Sequence, residues 1–169
     1  MKLKFFINLL TTVGVFLGLL AIYLAFMSHF YLSVPFILLS GIIDYFDGKI
    51  SRKTNNTTKL GSYLDLTNDA VSFLIAPMVL FGLYFYVSYW VVLLSILWLA
   101  SGIYRLYRFN HQVNKEIIVG LPTTIAGVSL TCFIALYIWL DMAFSYQWFL
   151  PIIAILSLGM ISHWTFKKP

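Results

Sequence analysis

Long apolar runs broken by short polar turns dominate this chain. The first run covers residues 5–27, behind a short basic start. It is too long for the apolar region of a signal peptide and lacks a small-residue cleavage site, so it reads as a retained transmembrane helix. The second begins near Phe30 and runs into an acidic stretch. The third covers residues 60–85, with Pro77 as a kink, and the fourth residues 88–107. The fifth starts near Gly120-Leu121-Pro122, where proline suits a first helical turn, and ends near Leu140. The sixth covers residues 146–164. The polar turns RKTNNTTK (residues 52–59) and FNHQVNKE (109–116) are short, so the flanking helices are antiparallel neighbours. A bilayer core of about 30 Å needs roughly 20 apolar residues at about 1.5 Å each. The expected fold is therefore an all-α integral membrane protein, one domain over residues 1–169 with six transmembrane helices.

Composition strengthens this reading. Of the 169 residues, 61% are hydrophobic and 10% charged, with a mean hydropathy of +0.90, which excludes a soluble domain of this size. The net charge of +5 raises a nucleic-acid partner, but the placement of the charges removes it. Lys2 and Lys4 precede the first run. Lys49, Arg52, Lys53 and Lys59 surround the turn between the second and third. Arg105, Arg108 and Lys115 surround the turn between the fourth and fifth, and Lys167 and Lys168 follow the sixth. All eleven basic residues thus fall on one side of a six-span chain. The positive-inside rule makes that side cytoplasmic, so both termini are expected in the cytoplasm, with the protein in the cell membrane. Tyr89, Trp90, Trp139, Tyr146, Trp148 and Trp164 lie near span ends and read as interfacial anchors. The single cysteine, Cys132, has no disulfide partner in the chain and reads as a buried packing thiol.

The chemistry concentrates in residues 41–73, which hold four of the six acidic residues: Asp44, Asp47, Asp65 and Asp69. Asp44 and Asp47 are spaced i,i+3, and Asp65 and Asp69 i,i+4, so each pair shares a helix face. Antiparallel packing brings the pairs together at one depth, near the cytoplasmic headgroups. An uncompensated carboxylate there costs about 2.5–3.5 kcal/mol, and four facing one another demand cations. All-oxygen ligands suit Mg²⁺ or Mn²⁺, with Ca²⁺ as an inhibitory or structural alternative, rather than zinc. Four carboxylates suffice for a two-metal clamp on a phosphoryl group. Gly48 and Gly61 let a ligand approach the backbone, and Arg52, one turn beyond Gly48, can meet a phosphate bidentately. The plain alternative is a salt-bridge network at helix ends, but the nearby basic residues do not account for four carboxylates in this arrangement.

The pattern Asp44-x-x-Asp47-Gly48-x-x-Ser51-Arg52, eight residues, Gly61-x-x-x-Asp65-x-x-x-Asp69 resembles the signature of the CDP-alcohol phosphotransferase family. Ser51 stands where that signature has alanine. The resemblance implies six transmembrane helices, a homodimer, and two divalent metals held by the four aspartates. It also implies that Gly48, Gly61 and Arg52 hold the CDP moiety and that Asp69, the last aspartate, acts as general base. Within the family, Asp69-Ala-Val-Ser-Phe followed by Ala76-Pro77 is similar to the integral-membrane phosphatidylserine synthase branch. Arg105-Leu-Tyr-Arg108-Phe109-Asn110, Gly120-Leu121-Pro122 and the first-run pair Asn8-x-x-Thr11 resemble the same branch. This adds Asn8 and Thr11 to the expected CDP-binding set. It leaves Arg105, Arg108 and Lys53 to hold the acceptor or a lipid phosphate. The expected reaction transfers phosphatidyl from CDP-diacylglycerol to L-serine.

Several residues depart from the branch pattern: Leu66, Asn68 and Leu74 after the aspartates, and Val13 and Gly14 in the first run. They were expected to lie beside the acceptor and to bear on its choice, leaving glycerol phosphate, inositol phosphate or choline as rival acceptors. A cation transporter is a further rival, but its acids would be spread through the membrane. Here they cluster on one side, with Asp141 alone opposite. Gly14, Gly18, Ala21, Gly127 and Ser129 mark expected close approaches between helices. His111 reads as a solvated turn residue.

Overall fold

The computed structural model describes residues 2–54, 59–85, 88–112, 117–141 and 145–167. Its helices, in chain order, are α1 (Lys2–Phe26), α2 (Phe30–Thr54), α3 (Lys59–Asn68), α4 (Ala76–Tyr84), α5 (Tyr89–His111), α6 (Thr123–Trp139) and α7 (Phe149–Ile161). A π-helical segment, Asp69–Ile75, joins α3 to α4 into one continuous span. Among the described residues, four spans are long and apolar enough to cross a membrane: Phe6–Phe26, Phe30–Ser51, Leu60–Tyr84 and Tyr89–His111. The fifth and sixth apolar runs are also helical, but α6 has 17 residues and α7 has 13, or about 25 and 20 Å of helix.

Both ends of the sixth run leave the α-helix. It begins in a 3₁₀ turn, Tyr146–Trp148, and its last residues lead into a strand, β2 (Thr165–Lys167). This strand pairs antiparallel with β1 (Ile117–Val119), Ile118 opposite Phe166. The described bundle is helical as expected, and this small two-stranded ribbon is an addition to it. Ile117-Ile118-Val119 is a β-branched run too short to show a period, and Gly120, at φ +74°, turns the chain from it toward α6.

The span made of α3, the π segment and α4 lies at the centre of the bundle, and glycines on three other helices close in on it. Gly14 and Gly18 of α1 face Asn68 and Ser72, Gly102 of α5 faces Leu74, and Gly127 of α6 lies against the Phe73 carbonyl. Helices in lipid gain little from the hydrophobic effect on associating, so such close backbone contacts supply the cohesion. Gly14, Gly18 and Gly127 occupy the close approaches expected of them. Pro77 falls in the first turn of α4 and has no N–H to return to the Phe73 carbonyl. The break is absorbed as a π segment rather than a simple kink, and the Leu74 carbonyl accepts a hydrogen bond from buried Trp98 Nε1 at 3.0 Å.

The two ends of the bundle differ. At one end Phe30, Tyr84, Phe85, Tyr137 and Phe149 pack edge-on and tilted, with ring centroids 4.8–6.0 Å apart. At the other lie the acidic residues, the start of α6 and the ends of α5 and α7. Cys132 is exposed on the outer face of α6, not buried as expected. An apolar thiol suits a lipid-facing stripe as well as a core. Tyr89, Trp90, Trp139, Trp148 and Trp164 are likewise exposed.

Candidate active site

The helical spacing read from the sequence places Asp44 and Asp47 on one face of α2, and Asp65 of α3 meets them. One carboxylate oxygen from each lies within 4.8 Å of the others, close enough to share a cation. Asp47 is buried, Asp44 half-buried and Asp65 exposed, so the cluster opens to the outside on the Asp65 side. Hard oxygen donors in this number suit a divalent cation of the Mg²⁺ or Mn²⁺ kind, and Asp44, Asp47 and Asp65 are the residues that would hold it.

Asp69 is placed differently. It lies one turn further along its helix than Asp65, about 6 Å by rise alone. Its Oδ1 accepts a hydrogen bond from Thr124 Oγ1 at 3.1 Å, and its Oδ2 lies 3.9 Å from Arg105 Nη1. The Thr124 hydroxyl is also 3.4 Å from Asp44 Oδ2, so it stands between the two carboxylates. It has one proton to give, and the shorter contact is to Asp69.

Asp44, Asp47 and Asp69 each lean on a polar side chain from another helix. Thr11 of α1 donates to Asp47 Oδ2 at 2.7 Å. Asn68 Nδ2 donates to Asp44 Oδ1 at 3.2 Å. Arg105, 7% exposed, donates from Nη1 to Thr123 Oγ1 at 2.7 Å and lies over the Phe109 ring at 5.4 Å. Its Nε is buried with no hydrogen-bond partner among the described residues.

The other expected site residues fall as follows. Among the described residues, a Cβ on Gly48 would meet nothing within 4 Å, so their packing does not demand glycine there. Gly61 lies half-buried at the start of α3. Arg52 and Lys53 continue α2, but their side chains lie outside the described residues. Asn8 is half-buried one turn from Thr11, whose hydroxyl is engaged by Asp47. Arg108 does not reach the acids. Its Nη1 donates to the Ile161 carbonyl at 3.2 Å. Its Nη2 faces the carbonyls of Val119, Ser162 and Met160 at 2.7, 3.1 and 3.3 Å. It ties the end of α7 to β1, satisfying carbonyls that a helix end leaves open. Leu74 is also removed from the acceptor space, since it is buried in the core against Gly102. His111 is exposed as expected but ends α5, its Nδ1 2.9 Å from the Tyr107 carbonyl.

Thr123 and Thr124 were not anticipated. Their signal is a pair of hydroxyls directly after Gly120-Leu121-Pro122, at the acidic end of an apolar run. Ser40 and Ser72, polar residues inside apolar runs, were also passed over.

Comparison with known proteins places the chain in a family. The sequence profile of the CDP-alcohol phosphatidyltransferase family matches residues 6–160. The chain belongs to that family. Among its relatives, a Helicobacter pylori protein named CDP-diacylglycerol–serine O-phosphatidyltransferase is 31% identical over 95% of this chain and 71% of its own length. A Bacillus subtilis protein of the same name is 32% identical over 74% of this chain and 73% of its own. A Mycobacterium bovis relative, provisionally named for cardiolipin synthesis, is 30% identical over 72% of this chain and 67% of its own.

Proposed function

We propose that this protein transfers the phosphatidyl group of CDP-diacylglycerol to L-serine, giving phosphatidylserine and CMP. The observation that carries the proposal is the step between Asp44, Asp47 and Asp65, gathered to hold cations, and Asp69, set one turn away between Thr124 and Arg105. The first group suits a pyrophosphate and the second an attacking alcohol.

Two divalent cations, Mg²⁺ or Mn²⁺, would supply charge neutralisation on the pyrophosphate when bound. Asp44, Asp47 and Asp65 hold them, with Asp69 as a further ligand or as the base. The space beside Gly48, with Gly61, Arg52, Asn8 and Thr11, receives the CDP moiety, and Lys53 receives a donor or lipid phosphate. The serine hydroxyl oxygen bonds to the phosphorus that carries diacylglycerol. The bond from that phosphorus to the bridging oxygen breaks, and CMP leaves with the electron pair. Asp69 takes the hydroxyl proton, as a weak nucleophile requires a base within hydrogen-bond reach. Thr124 and Arg105 fix the Asp69 carboxylate for that task.

The buried Arg105 bears on the acceptor. A guanidinium with Nε facing no acceptor among the described residues suits an anionic group, here the serine carboxylate. The same feature keeps glycerol phosphate and inositol phosphate as second readings and disfavours choline, a cation. The names of the Helicobacter pylori and Bacillus subtilis relatives favour serine. The site lies at the bundle end that carries Lys49, Arg105 and Arg108, the end the positive-inside rule makes cytoplasmic. The full arrangement is then six spans with both termini cytoplasmic, a homodimer among membrane lipids, and acyl chains lying in the bilayer.

The test supplies purified protein with CDP-diacylglycerol, Mg²⁺ or Mn²⁺ and a panel of alcohols, and measures CMP release. Serine should support release. No release with any acceptor, from folded protein, overturns the transferase reading. Release with glycerol phosphate but not serine overturns the acceptor alone.

A further inference from the structure

Asn68 is fully buried in the last turn of α3, and both ends of its amide are engaged. Its Oδ1 faces the hydroxyls of Ser72 at 2.9 Å and Ser40 at 3.1 Å, and its Nδ2 faces Asp44 Oδ1 at 3.2 Å. The opposite orientation would set the amide oxygen against a carboxylate, so Asp44 fixes which end points where. The two hydroxyls lie 2.9 Å from each other and also reach the Gly14 carbonyl of α1, at 3.1 Å from Ser40 and 3.4 Å from Ser72. The node therefore joins three spans and has a single outlet, the N–H aimed at Asp44.

A buried amide could serve packing alone. Two features argue for more. Every partner of its oxygen is itself buried, so the amide has no freedom to swing away from Asp44. Gly14, another departure from the branch pattern, faces Asn68 directly. A Cβ at position 14 would lie 3.0 Å from Asn68 Oδ1. A side chain at position 14 would thus compete for the space that the α3 amide fills.

We infer that Asn68 is the positioning residue for Asp44, holding one carboxylate oxygen so that the other stays turned to the cation site, and that Gly14 is its necessary counterpart. The inference rests on the metal-site reading above. Hydrogen-bonded partners of ligating carboxylates typically change metal affinity 10–100-fold when removed.

The test measures Mn²⁺ binding to the purified protein by electron paramagnetic resonance, alongside its melting temperature. Asn68→Ala should raise the Mn²⁺ dissociation constant roughly tenfold or more. Raising Mn²⁺ should largely restore kcat, with KM for CDP-diacylglycerol at saturating Mn²⁺ within about twofold of wild type by the same reasoning. Adding Gly14→Asn to Asn68→Ala returns an amide to the same space from α1 and should recover much of the lost affinity. If Asn68→Ala does not fold, the double variant Ser40→Ala/Ser72→Ala decides, since it removes both hydroxyls that hold the amide oxygen and should weaken Mn²⁺ binding without removing the donor. Wild-type protein that binds no Mn²⁺ overturns the metal-site reading itself. Wild-type binding with an unchanged constant in Asn68→Ala, whatever its melting temperature, overturns only the role of Asn68. In the fallback, an unchanged constant in Ser40→Ala/Ser72→Ala does the same.

Discussion

Thr124 Oγ1 lies 3.1 Å from Asp69 Oδ1, and this contact spans 55 positions of sequence to fix the carboxylate proposed as base. A hydrogen bond to a charged group contributes about 1.5–3 kcal/mol, or roughly 10–100-fold in rate if it is needed in the transition state. Thr124→Val keeps the shape and removes the donor. It should lower kcat by roughly tenfold or more and leave KM for CDP-diacylglycerol nearly unchanged. Initial rates at saturating donor check this.

Asp69→Asn removes the base but keeps the volume. Turnover should fall to background, while binding of CDP-diacylglycerol, followed by equilibrium dialysis with a labelled donor, persists. Full activity in this variant would show that the serine proton goes elsewhere.

The two arginines of α5 should separate cleanly. Arg105 faces Asp69 and keeps a buried Nε without a partner among the described residues, so Arg105→Lys should raise KM for serine strongly. Arg108 spends its donors on the carbonyls at the end of α7. Arg108→Ala should leave KM for serine unchanged and lower the melting temperature in detergent. It should also expose the C-terminal tail to limited proteolysis.

Gly127 has no space for a side chain against the Phe73 carbonyl. Gly127→Val should force α6 away from the π segment, at a cost of about 1–3 kcal/mol. Because Thr124 lies on the same helix one turn earlier, activity should fall together with thermal stability. An unchanged melting temperature would contradict the packing described for the central span.

The sequence shows the helical framework because lipid imposes long apolar runs, and the i,i+3 spacing of Asp44 and Asp47 survives unchanged as a shared face. It also shows which glycines lie at close contacts, since Gly14, Gly18 and Gly127 have no other reason to interrupt apolar helices. What it hides is long-range pairing. Nothing in the spacing of Asp65 and Asp69 shows that the second turns to Thr124 and Arg105 rather than joining the first cluster. Arg108 reads like Arg105 in sequence, three residues apart, yet it points to the end of α7. Leu74 follows the aspartates closely but lies beyond the start of the π segment, whose wider turn accompanies its burial in the core. The ribbon of β1 and β2 pairs segments some fifty residues apart, too short to leave a period.

The most direct measurement is incorporation of labelled L-serine into chloroform-soluble lipid by the purified protein with CDP-diacylglycerol and Mn²⁺. Label should enter lipid in step with CMP release, and should stop on chelation of the metal and in Asp69→Asn. Lipid labelling that survives chelation, or CMP release with another alcohol and no labelled lipid from serine, would contradict the account.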